Sequence, residues 1–233
     1  MRPGSFSTRR LEELADLLTD IDSAMQLTYR ISAAGSTAAS RRFTALADAE
    51  LLIQGPAEHR SWPLPPLPAG VSPALLSHVA ARRLKLKPQV AALGLVQKPD
   101  FPHLDIEPLD QGPSACLSSG AAMPLPRVQQ LWRQGERLGR RLKRPLVVAE
   151  CVPGGTTTAQ AVLTALGVEV AHLISGSALH PPQQLKKDLV VRGLQRASLD
   201  AHPSAEQILA AVGDPFQAFT AGVLVGAVFT GQP

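Results

Sequence analysis

One segment of the 233-residue chain carries residue types whose order could do chemistry: Glu150-Cys-Val-Pro-Gly-Gly-Thr-Thr-Thr158. It follows a short apolar run, Leu146 to Ala149, of the kind that fills a buried strand of a parallel sheet. Adjacent glycines at Gly154 and Gly155 remove the Cβ atoms that hold a ligand away from the backbone. A helix starting there presents unpaired N–H groups at the positive end of its dipole. A phosphate is the natural occupant of such a turn. Thr156, Thr157 and Thr158 would add hydroxyl donors on the first helical turn, and Glu150, at the carboxyl end of the strand, can accept from a ribose hydroxyl or meet an incoming base. The same residues also describe an unliganded turn with threonine caps. No Gly-Lys-Ser/Thr follows and the glycines do not have dinucleotide spacing, so a mononucleotide phosphate fits better than a triphosphate.

These residues need elements to hold them. Leu146 to Ala149 as a strand, the glycine turn, a helix from Thr156 to Leu166 closed by Gly167 at C′, and Val168 to Ile174 as a second strand make one right-handed βαβ unit. Ser175, Gly176 and Ser177 end that second strand and either line the same pocket or form a plain loop. Upstream, Val128, Leu131, Trp132, Gly135 and Leu138 share a helical face, and Ser72-Pro73 reads as a cap opening a helix through Leu84. Val90 to Val96 is expected as a buried strand, Asp48 to Gln54 as a short strand, and Leu11 to Leu27 as an N-terminal helix. Trp62 to Gly70 is dense in proline and must run extended, as a crossing loop or an SH3-type ligand. Lys98 to Pro113 is a second proline-interrupted loop. Asp214-Pro215 caps an apolar helix from Phe216 to Thr230, shorter than the roughly 20 residues that span a membrane.

With 45% apolar, 18% charged and 4% aromatic residues, small aliphatic side chains must fill the core, which favours layered α/β packing over an aromatic-rich sandwich. The fold class expected is α/β, with a parallel-sheet Rossmann-like core and flanking helices over residues 31–233 and a small helical segment at 1–30. A net charge of +4 raises the question of a polyanionic partner, but the basic residues are dispersed. Their densest run, Arg133 to Arg144, is either a solvated helix face or a phosphate-facing patch. No aromatics are interleaved beyond Trp132, so no nucleic-acid partner is expected. Cys116 and Cys151 form no disulfide framework and six scattered histidines no ligand spacing, so no metal is expected. The N-terminus lacks a signal-type apolar region, and a reducing cytoplasm is the expected location, with no membrane partner. Asp48 and Glu50 read as braces for a local turn.

The Glu-x-x-x-Gly-Gly-Thr-Thr arrangement at 150–157 resembles the phosphate-binding signature of the nicotinate-nucleotide:dimethylbenzimidazole phosphoribosyltransferase family, which builds the lower-ligand nucleotide of cobalamin. The longer string from Ala149 to Gly167 is most similar to an archaeal and cyanobacterial branch. Ile31-Ser-Ala-Ala-Gly35, Ala47-Asp-Ala-Glu50, Ala69-Gly-Val-Ser-Pro73 and Gly213-Asp-Pro-Phe-Gln217 extend the match along the chain. By that resemblance, Glu150 stands beside the ribose and acceptor base as the catalytic carboxylate. Gly154, Gly155, Thr156, Thr157 and Thr158 hold the 5′-phosphate of nicotinate mononucleotide, and Lys186 or Lys187 is the phosphate-contacting lysine. The implied reaction is attack of a benzimidazole or adenine nitrogen on the anomeric carbon, expelling nicotinate. It needs no cofactor and no metal, because the pyridinium leaving group departs neutral. The resemblance also implies a homodimer. It places a general-base glutamate in a C-terminal portion, past where this chain stops at Pro233. The core is therefore expected to be incomplete at its C-terminus, and the alternative is a non-catalytic mononucleotide-binding module.

Overall fold

The computed structural model describes residues 41–57, 59–64, 72–143, 146–174 and 182–231. The helix expected over Leu11 to Leu27, the match at Ile31, residues 69–71 of the match that begins at Ala69, and the candidate residues Ser175, Gly176 and Ser177 lie outside these residues.

In chain order the elements are α1 (Thr44–Gln54), α2 (Pro73–Arg83), β1 (Ala91–Ala92), β2 (Leu104–Asp105), two 3₁₀ turns (Leu109–Gln111 and Leu117–Ser119), α3 (Leu125–Gly139), α4 (Gly155–Ala165), α5 (Gln183–Arg196), α6 (Ala205–Val212) and α7 (Pro215–Phe229). The chain is α/β: helices packed on one another carry a two-stranded parallel sheet in which Ala91 faces Leu104 and Ala92 faces Asp105.

Several helices begin where side-chain chemistry says they should. Ser72 caps α2 by accepting from the Ala74 amide at 3.1 Å, with Pro73 at the first helical position. Asp214 opens α7 with a reciprocal capping box to Gln217, and Ser204 does the same for α6 with Gln207. Three apolar clusters follow. Cys116, Leu117, Ala161, Leu189, Val190, Ile208 and Val212 join α4, α5 and α6. Met123, Val128, Leu131, Leu209, Phe219 and Val223 join α3, α6 and α7. Leu46, Ala47, Trp62 and Phe101 seat α1.

Helices α3 and α7 approach so closely that backbone touches backbone. A Cβ at Gly135 or Gly139 would collide with the carbonyls of Phe219 and Val223, and one at Gly222 or Gly226 with those of Trp132 and Glu136. Spacing of four residues on both helices puts each glycine pair on the facing side, which is how the apolar α7 is buried.

Three expectations need correction. Asp48 to Gln54 is not a strand but the body of α1, because Leu46, Ala47, Glu50 and Leu51 recur at helical spacing and share its buried side. Val90 to Val96 contributes only Ala91 and Ala92 to a ladder, and both are part-exposed. Leu146 to Ala149 and Val168 to Ile174 flank α4 as expected, yet among the described residues neither pairs in a sheet, and Val147 is 88% exposed and Leu173 75%. An apolar run supplies the side chains of a strand but not its neighbour, and without a hydrogen-bonding partner the ladder does not form. Among the described residues no helix is long and apolar enough to cross a membrane.

Candidate functional site

The turn ahead of α4 is built on Gly154, whose φ of 84° and ψ of 1° lie in the left-handed region where a Cβ costs energy. Its carbonyl accepts from the amides of Thr157 at 2.8 Å and Thr158 at 3.3 Å, and the Gly155 amide donates to Val152 at 2.9 Å. The turn thus consumes most of its own amides. Among the described residues, the Thr156 amide is the one in the first turn with no acceptor. Thr156 is exposed, and its hydroxyl accepts from Nζ of Lys186 at 2.9 Å. An anion at this helix start would meet the Thr156 amide, a neighbouring ammonium and the helix dipole together.

Lys186 reaches this place from the first turns of α5. It is only 4% exposed and shares a face with Leu189, Val190 and Gly193, while Lys187 points to solvent. Burial pulls the Lys186 ammonium below the usual lysine range.

Glu150 stands over the turn. A Cβ on Gly155 would fall 2.9 Å from its Oε1 and 3.1 Å from Cβ of Val152, so the carboxylate occupies the space that the glycine leaves open. Desolvation, and then the nearby Asp214 carboxyl, push Glu150 above the usual glutamate range.

The three threonines divide. Thr156 faces outward, Thr157 is buried, and the buried Thr158 hydroxyl lies 2.6 Å from Oδ2 of Asp214 and 2.9 Å from the Gly155 carbonyl. Asp214, anticipated only as a helix cap, therefore also ties the start of α7 to the first turn of α4. Asp48 plays a comparable part on the other side, accepting from the Ser72 hydroxyl at 2.9 Å and the Cys151 thiol at 3.2 Å, so that α1, the cap of α2 and the segment bearing Glu150 converge on one carboxylate. Glu50 braces its own surroundings, accepting from the amides of Ser61 and Trp62.

A cleft of about 80 Å³ runs beside Cys151 to Pro153, walled by Arg41 and Arg42, the Leu93–Val96 loop, Ser114 and Asp214 to Phe216. A roomier cavity of about 310 Å³ lies at the ends of β1 and β2 and shares Gly94 and Leu95 with it. A buried ion pair holds the shared wall. Arg127 donates to both oxygens of Glu107 at 2.8 and 2.9 Å, and Glu107 accepts the Gly94 amide at 2.8 Å. Residues 20 apart in the chain gave no local signal for this pair. The helical phase of Lys186, by contrast, was readable: it stands three, four and seven residues before Leu189, Val190 and Gly193.

Comparison with known proteins supplies the context. A phosphoribosyltransferase family model matches residues 74–233. A UPF0284 protein of Parasynechococcus marenigrum strain WH8102 is 68% identical over 197 residues, covering 84% of this chain and 50% of its own. One from Gloeothece citriformis strain PCC 7424 is 40% identical over 202 residues, covering 84% and 54%. The chain spans about half the length of the curated relatives it matches. Among solved structures, CobT from Thermus thermophilus superposes with a TM-score of 0.63 at 19% identity, covering 98% of this chain and 69% of its own, which establishes a shared fold.

Proposed function

The chain belongs to the phosphoribosyltransferase family, and from that premise we propose that its glycine turn holds the 5′-phosphate of nicotinate mononucleotide while the ribose phosphate passes to a benzimidazole or purine base, in assembly of the cobalamin lower ligand. The observation that carries this reading is the pairing of an acceptor-free amide and a lysine-held hydroxyl on Thr156, at a helix start opened by Gly154 and Gly155.

In this reading Lys186 and the Thr156 amide anchor the phosphate, and Gly155 leaves the room in which the Glu150 carboxylate stands over the turn. Fixing the phosphate fixes the anomeric carbon relative to the Glu150 carboxylate. As the bond to nicotinate lengthens, positive charge grows on the ribose ring and a carboxylate at short range stabilises it. The pyridinium leaves as neutral nicotinate nitrogen, and the acceptor nitrogen forms the new bond with loss of its proton to a base. Glu150 must be ionised for this, and its elevated proton affinity sets an acid limit above that of an ordinary glutamate.

The test is to incubate the protein with nicotinate mononucleotide and either benzimidazole or adenine, and to follow free nicotinate and the new ribotide. Turnover supports the transferase. Saturable mononucleotide binding without turnover supports a binding module, and neither binding nor turnover refutes both.

A further inference from the structure

Behind the glycine turn, one buried hydroxyl faces two oxygens and has a single proton to offer them. Thr158 Oγ1 lies within hydrogen-bond distance of two oxygens, the Gly155 carbonyl at 2.9 Å and Oδ2 of Asp214 at 2.6 Å. A hydroxyl has one proton to give, and an ionised Asp214 and a carbonyl are both acceptors. The second oxygen of Asp214, Oδ1, is already used, accepting from the Gln217 amide at 2.9 Å. Asp214 is 2% exposed and makes no ion pair among the described residues.

We propose that Asp214 is a neutral carboxylic acid in the folded chain: its O–H donates to Thr158, Thr158 donates to the Gly155 carbonyl, and Oδ1 stays free to cap α7. Every contact is then satisfied. The surroundings agree from each side. Glu150, ahead of α4, would meet an ionised Asp214 as a like charge. Lys186, from α5, donates to the Thr156 hydroxyl. Arg41 and Arg42 line the cleft that Asp214 borders, and α7 offers the backbone amides of Phe216 and Gln217. Burial outweighs those donors and pushes Asp214 above the usual aspartate range.

The consequence concerns the anion in front. A fixed negative charge behind a helix start would oppose a phosphate bound there, whereas a neutral acid keeps the hydrogen bonds that shape the turn and removes the repulsion. Asp214 thus joins α7 to the first turn of α4 through Thr158 without placing a charge behind it. This consequence rests on the phosphate reading of the turn; the ionisation state does not.

Carbon-13 NMR of protein labelled at aspartate carboxyls tests it on the native chain, with Asp214 assigned through bonds to its own backbone so that no variant has to fold. A protonated-acid resonance near neutral pH is expected. An ionised resonance there, titrating like an ordinary aspartate, overturns the proposal. Inorganic phosphate is then titrated into the native protein and Asp214→Asn, which keeps an acceptor for α7 and an N–H donor for Thr158. Equal affinity is expected. Tightening by about tenfold or more in the variant means that the native carboxyl was charged and repelling, and overturns the proposal. An acid resonance with no phosphate binding in either protein refutes the phosphate reading alone.

Discussion

At the residue scale, two neighbouring lysines fit the family resemblance equally well and are not equivalent in space. Lys186 meets Thr156 at 2.9 Å while Lys187 is solvent-exposed. Charge-assisted hydrogen bonds contribute about 1.5–3 kcal/mol, so Lys186→Ala is expected to weaken mononucleotide binding by about one to two orders of magnitude, with Lys187→Ala near native. Calorimetric titration of both variants checks this, and equal loss in the two would remove Lys186 from the site. Gly155→Asp should abolish binding outright, because it adds a side chain against Glu150 and a negative charge at the anion position; native affinity in that variant would contradict the turn's role. The turn was legible as a turn because paired glycines after an apolar run allow the left-handed φ that Gly154 adopts at the start of α4. The second duty of Asp214, and the convergence of Ser72 and Cys151 on Asp48, were not, since each joins residues that only the tertiary fold brings together.

At the element scale, helices were readable and strands were not. Ser72-Pro73, Asp214-Pro215 and Gly167 announce boundaries through local chemistry, and α2, α7 and α4 begin or end where those residues say. A strand is defined by its neighbour, so Leu146 to Ala149 carried the right side chains without securing a partner. The Asp48–Gln54 segment failed differently: its apolar run continued a helical stripe that started at Leu46, too short a view of the period to distinguish the two. Glycine at four-residue spacing on α3 and α7 was a packing signal in plain sight. Gly222→Ala drives a methyl group into the Trp132 carbonyl, and forcing the helices apart is expected to cost about 1–3 kcal/mol. Gly112→Ala meets nothing within 4 Å, but its φ of 57° with ψ of −171° is a glycine-only backbone, so its cost of about 1–3 kcal/mol comes from strain and not from contact. Urea denaturation of the two variants against the native chain measures the difference, and an unperturbed Gly222→Ala would show that the helices are not in backbone contact.

For the whole molecule, acid–base linkage gives a signature that no single contact provides. Asp214 and Glu150 both hold protons more tightly when folded than at their ordinary values of 3.8 and 4.5. Between the ordinary and the folded pKa the native state binds more protons than the unfolded chain, so their contribution is fully present below the ordinary values and is lost as pH rises through the folded ones. Unfolding free energy measured on rising from about pH 4 should therefore carry a falling component, and Asp214→Asn should flatten it. An identical pH profile in native and variant protein would mean that Asp214 titrates alike folded and unfolded. The exposed apolar runs beside α4 belong to this scale too. Leu146, Val147, Val148 and Leu173 were legible as core material, yet their burial depends on a neighbour that the local sequence does not specify.

The most direct measurement is a crystal structure of the chain grown with nicotinate mononucleotide. The expected map has the 5′-phosphate within hydrogen-bond distance of the Thr156 amide and of Lys186 Nζ, with the ribose beside Glu150. A mononucleotide bound elsewhere, or an unchanged, ligand-free turn at saturating concentration, would contradict the assignment of this turn as the phosphate site.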